Sequence, residues 1–303
     1  MKILRATFLG IRGVGDATLD LTDPRTGAPH GTVVVTGPSG SGKTRVLEAL
    51  IAAKEAIGSY GMPTTGERWI GPGNAAKIRI TFHLDAAEQV YAGTSSATLE
   101  AEVIFLAARA RCEADEGLRA VLERYSHDRA QGKLEYFAAS RRIPTTAPFA
   151  GLGTAEQRIG RAGKEPRKYS FVVPFLRSLE HDRARADGFA ARLAALSTTC
   201  VYQAGPPAEG VPRCFSSRGG PPATVHELSD GEADAVIFAA TAVAVGLDHS
   251  LVFIDRPDLH LDDVGHLLGG LAALGQDNQL FLAAGPRLAG AVDGAHVVSL
   301  KGH

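Results

Sequence analysis

Polar and apolar residues alternate along Lys77–His83 (KIRITFH) and Thr98–Phe105 (TLEAEVIF), which puts Leu99, Ala101, Val103 and Phe105 on one face. A period of two is that of a strand with one buried side, so both segments predict strands of a half-exposed antiparallel sheet. Upstream, Ile3–Phe8 and Ala17–Leu21 read as two further strands joined by the turn Gly10–Gly15. The turn-rich stretch Asp23–Gly31 then leads into the β-branched run Thr32–Thr36, a buried strand, and Arg45–Lys54 (RVLEALIAAK) follows as a helix.

Beyond the sheet, Cys112–Tyr125 carries helical periodicity and Lys133–Ala138 reads as a strand running into Ser140, Arg141 and Arg142. Gln157–Lys168 is polar, basic and Gly-containing, the composition of a mobile surface loop. Phe171–Leu196 is mostly helical in pattern, with Pro174 permitted in its first turn, and short strands are expected around Val201 and Phe215. Helix and strand then alternate through Gly231–Val245, Leu251–Ile254, Asp263–Leu274, Gln279–Ala283 and Val297–Leu300. That alternation implies right-handed crossovers and a mainly parallel sheet. No internal repeat emerges, nor heptads long enough for a coiled coil.

Bulk properties narrow the class. The 303 residues are 45% hydrophobic, enough for a substantial core, and 32 basic against 33 acidic residues leave a net charge of -1. No overall field draws the chain to nucleic acid or membrane, so either partner needs local evidence. Cys112, Cys200 and Cys214 have neither disulfide-framework nor metal-ligand spacing, and MKILRATFLG lacks an apolar signal core, which together point to the cytoplasm. The apolar stretch Ala233–Leu247 contains Asp234 and falls short of a membrane span, so a buried helix is expected and no membrane insertion.

Chemistry concentrates first at Gly37, Pro38, Ser39, Gly40, Ser41, Gly42, Lys43 and Thr44, a complete G-x-x-x-x-G-K-[ST] phosphate loop between the predicted strand and helix. The glycines let backbone N–H groups turn towards phosphates, Lys43 bridges the outer phosphates, and the Thr44 hydroxyl suits Mg²⁺. Arg45 opens the helix, whose positive N-terminal end faces the same anion. ATP and Mg²⁺ are therefore the expected ligands. Leu251-Val252-Phe253-Ile254-Asp255 is an apolar strand ending in a carboxylate, the form of a Walker B segment with Asp255 as the second Mg²⁺ residue. About twenty residues upstream, Leu228-Ser229-Asp230-Gly231-Glu232 opens an apolar helix. Ser229 with Glu232 is also a capping box, and the two roles are compatible.

This order of motifs resembles the ABC-type ATPases of the RecF, SMC and Rad50 group, and most closely their compact relatives without long coiled coils, the AAA_21 or OLD-like ATP-binding proteins. Met1–Phe8, Gly37–Thr44, Tyr136–Arg142, His226–Glu232 and Leu251–Leu261 carry the likeness. The resemblance implies an α/β P-loop NTPase head, with a mixed sheet, an N-terminal antiparallel part and a helical lobe. It divides the chain into a nucleotide-binding lobe (about 1–108, 133–145 and 246–303) and a signature lobe (109–132 and 146–245). It also implies that Ser229 and Gly231 act in trans on a nucleotide held by a second head, so that ATP drives homodimerisation or docking of a partner protein. Arg12 is implied as a nucleotide contact, with a surface-turn role as the alternative, and Phe8 is open between adenine contact and core.

Three positions depart from the pattern. Where the family places Glu after the Walker B Asp there is Arg256, whose guanidinium accepts no proton. Ala283-Ala284-Gly285-Pro286 stands in place of a segment bearing a switch histidine, and Arg141 lies near a position where Rad50-like heads use Gln. Asp258 and His260 are the available substitutes for the base, and Lys43, Asp255 and Asp258 are the catalytic candidates. Loss of a positioned base lowers turnover by about 10²- to 10⁴-fold. The leading expectation is an ATP-binding switch with slow or absent hydrolysis; an active ATPase of a repair or phage-defence complex, and a regulatory subunit of a heteromeric assembly, are the alternatives. For DNA contact the candidates are Arg158, Arg161, Lys164, Arg167 and Lys168.

Overall fold

A computed structural model describes residues 1–61, 65–126, 128–145, 158–204, 210–259, 264–290 and 294–301. Its first sheet is antiparallel, in the order β2-β1-β4-β5-β6, from β1 (Lys2–Ile11), β2 (Gly15–Asp20), β4 (Ala76–His83), β5 (Thr98–Leu106) and β6 (Arg109–Ala114). The predicted alternation holds: Ala101, Val103 and Phe105 are buried, while Arg79, Thr81, Glu100 and Glu102 pair with one another or with Lys77 across the outer face.

The second sheet is wholly parallel, in the order β13-β3-β12-β11-β7, built from β3 (Thr32–Thr36), β7 (Leu134–Phe137), β11 (Leu251–Asp255), β12 (Gln279–Ala283) and β13 (His296–Ser299). It is covered on both sides, as the unbroken burial of β11 and β12 requires. Val33, Val35, Tyr136, Phe253 and Phe281 face a core shared with α1 (Lys43–Ile57) and the antiparallel sheet. Val34, Phe137, Val252, Ile254 and Leu282 face the opposite core, with α5 (Val172–Ser178), α6 (Arg183–Leu196), α7 (Asp230–Thr241) and α8 (Val264–Ala272). Smaller pieces complete the chain: α2 (Ala86–Ala92), α3 (Glu116–Glu123), α4 (Arg158–Arg161), α9 (Pro286–Ala289) and a three-stranded sheet of β8 (Cys200–Tyr202), β9 (Phe215–Ser217) and β10 (Pro222–Ala223). Among the described residues no helix is long and apolar enough to cross a membrane.

The structure corrects several expectations. The helix expected over Cys112–Tyr125 is a strand followed by a helix: RARCEA closes a hairpin with β5, and Asp115 caps α3 by accepting from the amides of Gly117 and Leu118. The expected lobe boundary at 108/109 consequently falls in the turn of that hairpin, and α3 packs on α1 and α2. The run Phe171–Leu196 is helical as expected, in two pieces: α5 runs into the 3-10 turn Leu179–His181, which ends at Asp182, and Asp182 caps α6 through the Arg185 amide. At its C-terminal end α7 widens into a π turn, Ala242–Gly246.

The basic stretch before Tyr169 differs most from a solvated loop. Among its described residues, Arg161 and Lys168 are buried, and both reach Glu135 on β7, at 3.4 and 3.3 Å. Lys168 also donates to the Tyr136 and Arg161 carbonyls, and burial lowers its amine to about 8, against the pull of Glu135. Arg167 is paired with Glu165 at the surface, and Lys164 with Glu48 of α1. Arg161 and Lys168 therefore serve interior pairing, while Arg158, Lys164 and Arg167 lie at the surface.

Candidate functional site

Between β3 and α1 the chain makes the tight turn that the glycines allow. Gly40 and Gly42 take φ of +81° and +91°, and Gly42 in this left-handed conformation caps α1. Pro38, Ser39 and Gly40 form an exposed crown. Lys43 folds back over it, its Nζ donating to the carbonyls of Gly37 at 2.9 Å and Pro38 at 2.8 Å. No acidic residue occupies the first turn of α1, so the positive end of a 15-residue helix is uncompensated on this side. Ser41 is buried and its hydroxyl has no hydrogen-bond partner, an orphaned polar group of the kind an incoming phosphate satisfies. A β-carbon at Gly42 would stand 2.0 Å from the Gly13 carbonyl oxygen, so the β1–β2 turn lies directly against the loop.

At the C-terminal end of β11, Asp255 receives the Thr44 hydroxyl, with Oγ1 2.9 Å from Oδ1 and 3.0 Å from Oδ2. Burial pushes the Asp255 carboxyl above its ordinary range; the Thr44 hydrogen bond and the charge of Lys164 offset part of this. An anionic carboxylate held dry beside a threonine hydroxyl is a favourable setting for a divalent cation. The phosphate loop and this pair therefore fit a Mg²⁺ nucleotide: Lys43 and the loop amides for the phosphates, Thr44 and Asp255 for the metal. One turn along α1, buried Glu48 carries three cations, Arg45 at 3.3 Å, Arg68 at 2.8 Å and Lys164. Arg45 further donates to the Arg12 and Arg68 carbonyls and lies 5.0 Å over the Trp69 ring. Arg12 is exposed, its Nε on the Ile70 carbonyl at 2.8 Å, and Phe8 is wholly buried in the core.

Arg141 lies behind Asp255. Its Nε and Nη2 clamp the carboxylate of Asp234 on α7 at 3.1 and 2.7 Å; Nη1 donates to the carbonyls of Ala138 and Asp255, both at 2.9 Å, and Nη2 to that of Arg256 at 3.2 Å. The side chains of Arg141 and Asp234 are 0% and 4% exposed. This junction joins β7, β11 and α7, and sequence reasoning missed it. A lone carboxylate inside the apolar run Ala233–Leu247 was the available signal, since a buried charge requires a partner.

Ser229 caps α7 in a reciprocal box with Glu232, and its hydroxyl donates to Glu232 Oε2 at 2.8 Å. Burial would raise the Glu232 carboxyl, but hydrogen bonds from Ser217, Ser229 and Thr199 outweigh it and hold it below its ordinary range. Ser229 is exposed and Gly231 half-exposed, both at the start of α7. Arg256 is exposed at φ +50°, its amide on the Ala283 carbonyl at 2.8 Å. Asp258 lies against Gly285, where a β-carbon would be 3.6 Å from its Oδ2, and its buried Oδ1 has no hydrogen-bond partner among the described residues. His260 lies outside the described residues.

No protein-family model matches this chain, and no curated protein matches it. Solved structures do. An SMC head bound to the C-winged helix domain of ScpA superposes with a TM-score of 0.61 at 14% identity, over 97% of this chain and 93% of its own. The chain has the fold of an SMC head. The SMC head domain of Thermotoga maritima shares that fold at a TM-score of 0.52 and 14% identity, covering 98% of this chain and 95% of its own. A RecF structure aligns at 0.48 and 10% identity, over 93% and 91%. In the SMC-head frame the antiparallel sheet, the parallel sheet and the helices around α7 account for the mixed architecture expected from the motifs.

Proposed function

We propose that this chain is an ATP-binding head that associates with a second copy, or docks a partner protein, when Mg²⁺ and ATP are held, and that it hydrolyses ATP slowly or not at all. The observation that carries the reading is the junction of an intact phosphate loop with Asp255 through Thr44, at a strand end where Arg256 replaces a proton-accepting carboxylate. The exposed start of α7, with Ser229 and Gly231, supplies backbone N–H groups and a helix N-terminus for a nucleotide held by the partner. A head that binds without turning over still reports nucleotide status, because a ligand that prefers one state shifts the equilibrium by its differential affinity. The compact AAA_21 or OLD-like relatives remain the group this reading favours. Calorimetry tests it: Mg²⁺-ATP should bind the wild type and lose most of its affinity in Lys43→Ala, and equal affinities overturn the assignment.

The unpartnered Oδ1 of Asp258 favours one second reading, an active ATPase in which Asp258 acts through water as the base. Brisk wild-type turnover that collapses in Asp258→Asn would select it.

A further inference from the structure

Along α1, Glu48, Ile51 and Ala52 recur at the three- and four-residue spacing of one helix face. That face does not close on its neighbours. A cavity of about 230 Å³ lies between it, Trp69, Tyr136 of β7 and the segment Ala162–Lys164, and none of residues 37–44 lines it. The volume is below the roughly 300–1,000 Å³ of a drug-sized site, so it suits a small organic molecule. Ile51, Ala52, Trp69 and Ala162 supply apolar wall, and Arg68 and Lys164 stand at its exposed side, with side chains 52% and 48% exposed.

The polar groups around this cavity are unbalanced. Tyr136 is 1% exposed and its hydroxyl has no hydrogen-bond partner among the described residues. Burial, helped by the charges of Asp255 and Glu48, raises the phenol above its ordinary range, so it remains a donor. Arg68 has five N–H donors and Lys164 three, and in the described contacts each directs one of them to Glu48. Charge points the same way. Arg45, Arg68 and Lys164 against Glu48 leave a surplus of two positive charges, Asp255 nearby reduces it to one, and Glu55 is cancelled by Lys54 at 2.9 Å. A buried donor without an acceptor costs free energy, so a ligand that brings acceptors is favoured here.

We propose that this cavity is a binding site for a small organic anion, an apolar body carrying one carboxylate. The body packs against Ile51, Ala52, Trp69 and Ala162, and the carboxylate accepts from Arg68, Lys164 and the Tyr136 hydroxyl. The site is separate from the phosphate loop and does not depend on the nucleotide reading.

Benzoate titrated into the full chain is the probe. Trp69 is the single tryptophan and lies under the guanidinium groups of Arg45 and Arg68, at 5.0 and 5.3 Å, so its emission reports an anion that draws Arg68 away. A saturable change is expected with benzoate, and binding at least about tenfold weaker with phosphate, which lacks the body, and with benzyl alcohol, which lacks the charge. Tyr136→Phe removes a hydroxyl that has no partner and keeps the ring, so the thermal midpoint should hold while benzoate affinity falls about tenfold. Lys164→Gln should weaken benzoate to a similar extent, with Arg45 and Arg68 left on Glu48. Equal affinity for benzoate and either control overturns the ligand class. The site itself is overturned by the absence of a saturable response, by a response that saturating Mg²⁺-ATP abolishes, or by an affinity that neither variant changes.

Discussion

The Thr44 hydroxyl lies 2.9 Å from Oδ1 and 3.0 Å from Oδ2 of Asp255, 211 positions further along the chain. One hydroxyl has one proton, so it satisfies one carboxylate oxygen at a time and leaves lone pairs of both residues for a cation. Two parts of the sequence that are separately weak signals thus become one site.

A pH dependence follows. Burial raises the Asp255 carboxyl above 3.8 and the Thr44 bond holds it down in part. A protonated carboxyl holds no cation, so acidification should weaken the Mg²⁺-dependent part of ATP binding from a pH above that value. Thr44→Val removes the restraining bond, so the carboxyl rises further and the loss should set in at higher pH, on top of a weaker affinity throughout. Calorimetric Mg²⁺ titrations across the acid range check this; equal midpoints in the two proteins would break the link.

Hydrolysis by the wild type should be slower than about one turnover per second, at the low end of the ordinary enzyme scale. Arg256→Glu restores a carboxylate after Asp255 at the left-handed backbone position, φ +50°, that Arg256 already occupies, but leaves Ala284 where the resemblance expects a switch histidine. The double change Arg256→Glu with Ala284→His should therefore raise phosphate release where the single change does little. Wild-type turnover above that threshold would contradict the slow-switch reading.

Association should depend on Ser229. Ser229→Arg adds bulk and charge at the exposed start of α7 and also loses the cap, worth about 0.5–2 kcal/mol. Ser229→Thr retains the cap and serves as the control. Light scattering should show an ATP-dependent rise in mass for the wild type and Ser229→Thr, and none for Ser229→Arg despite retained ATP binding.

Stability offers an asymmetric test at β7. Glu135 is the single carboxylate that Arg161 and Lys168 share in the described contacts. Glu135→Gln removes the carboxylate that both cations meet and should cost about 3–5 kcal/mol. Lys168→Met leaves Glu135 paired with Arg161, removing a charge that burial already disfavours, and should cost less than half as much. Urea denaturation of the two variants decides it; equal losses would mean that the cluster is not held by its carboxylate.

What could be read without coordinates was whatever has a period or a fixed spacing. The alternation of Lys77–His83 and Thr98–Phe105, the strand-loop-helix around Lys43 and the strand ending in Asp255 all depend on local chemistry, and each stands where the pattern put it. The helix expected over Cys112–Tyr125 begins too early because six residues of alternating burial, Arg109–Ala114, run straight into α3, so a single window averages the two periods. Arg161 and Lys168 differ from the solvated-loop expectation for another reason. A run of cations looks solvated until the carboxylates that neutralise it, Glu135 and Glu48, are brought in from distant segments. The five-point junction of Arg141 is hidden in the same way, since most of its acceptors are carbonyls, which every residue has.

The contact between Gly42 and Gly13 bears on how the molecule can be instrumented. With 2.0 Å between a would-be β-carbon and the opposing carbonyl, neither backbone can advance on the other, and Arg45 donating to the Arg12 carbonyl ties the turn to the start of α1, so the β1–β2 turn moves with the phosphate loop. A probe attached through Asp16→Cys, exposed at the start of β2 just beyond that turn, would register displacement of the loop at a distance. One attached near Gly27, where a β-carbon meets nothing within 4 Å, would sit on the separate turn closed by Asp23 and Ala28 and stay silent.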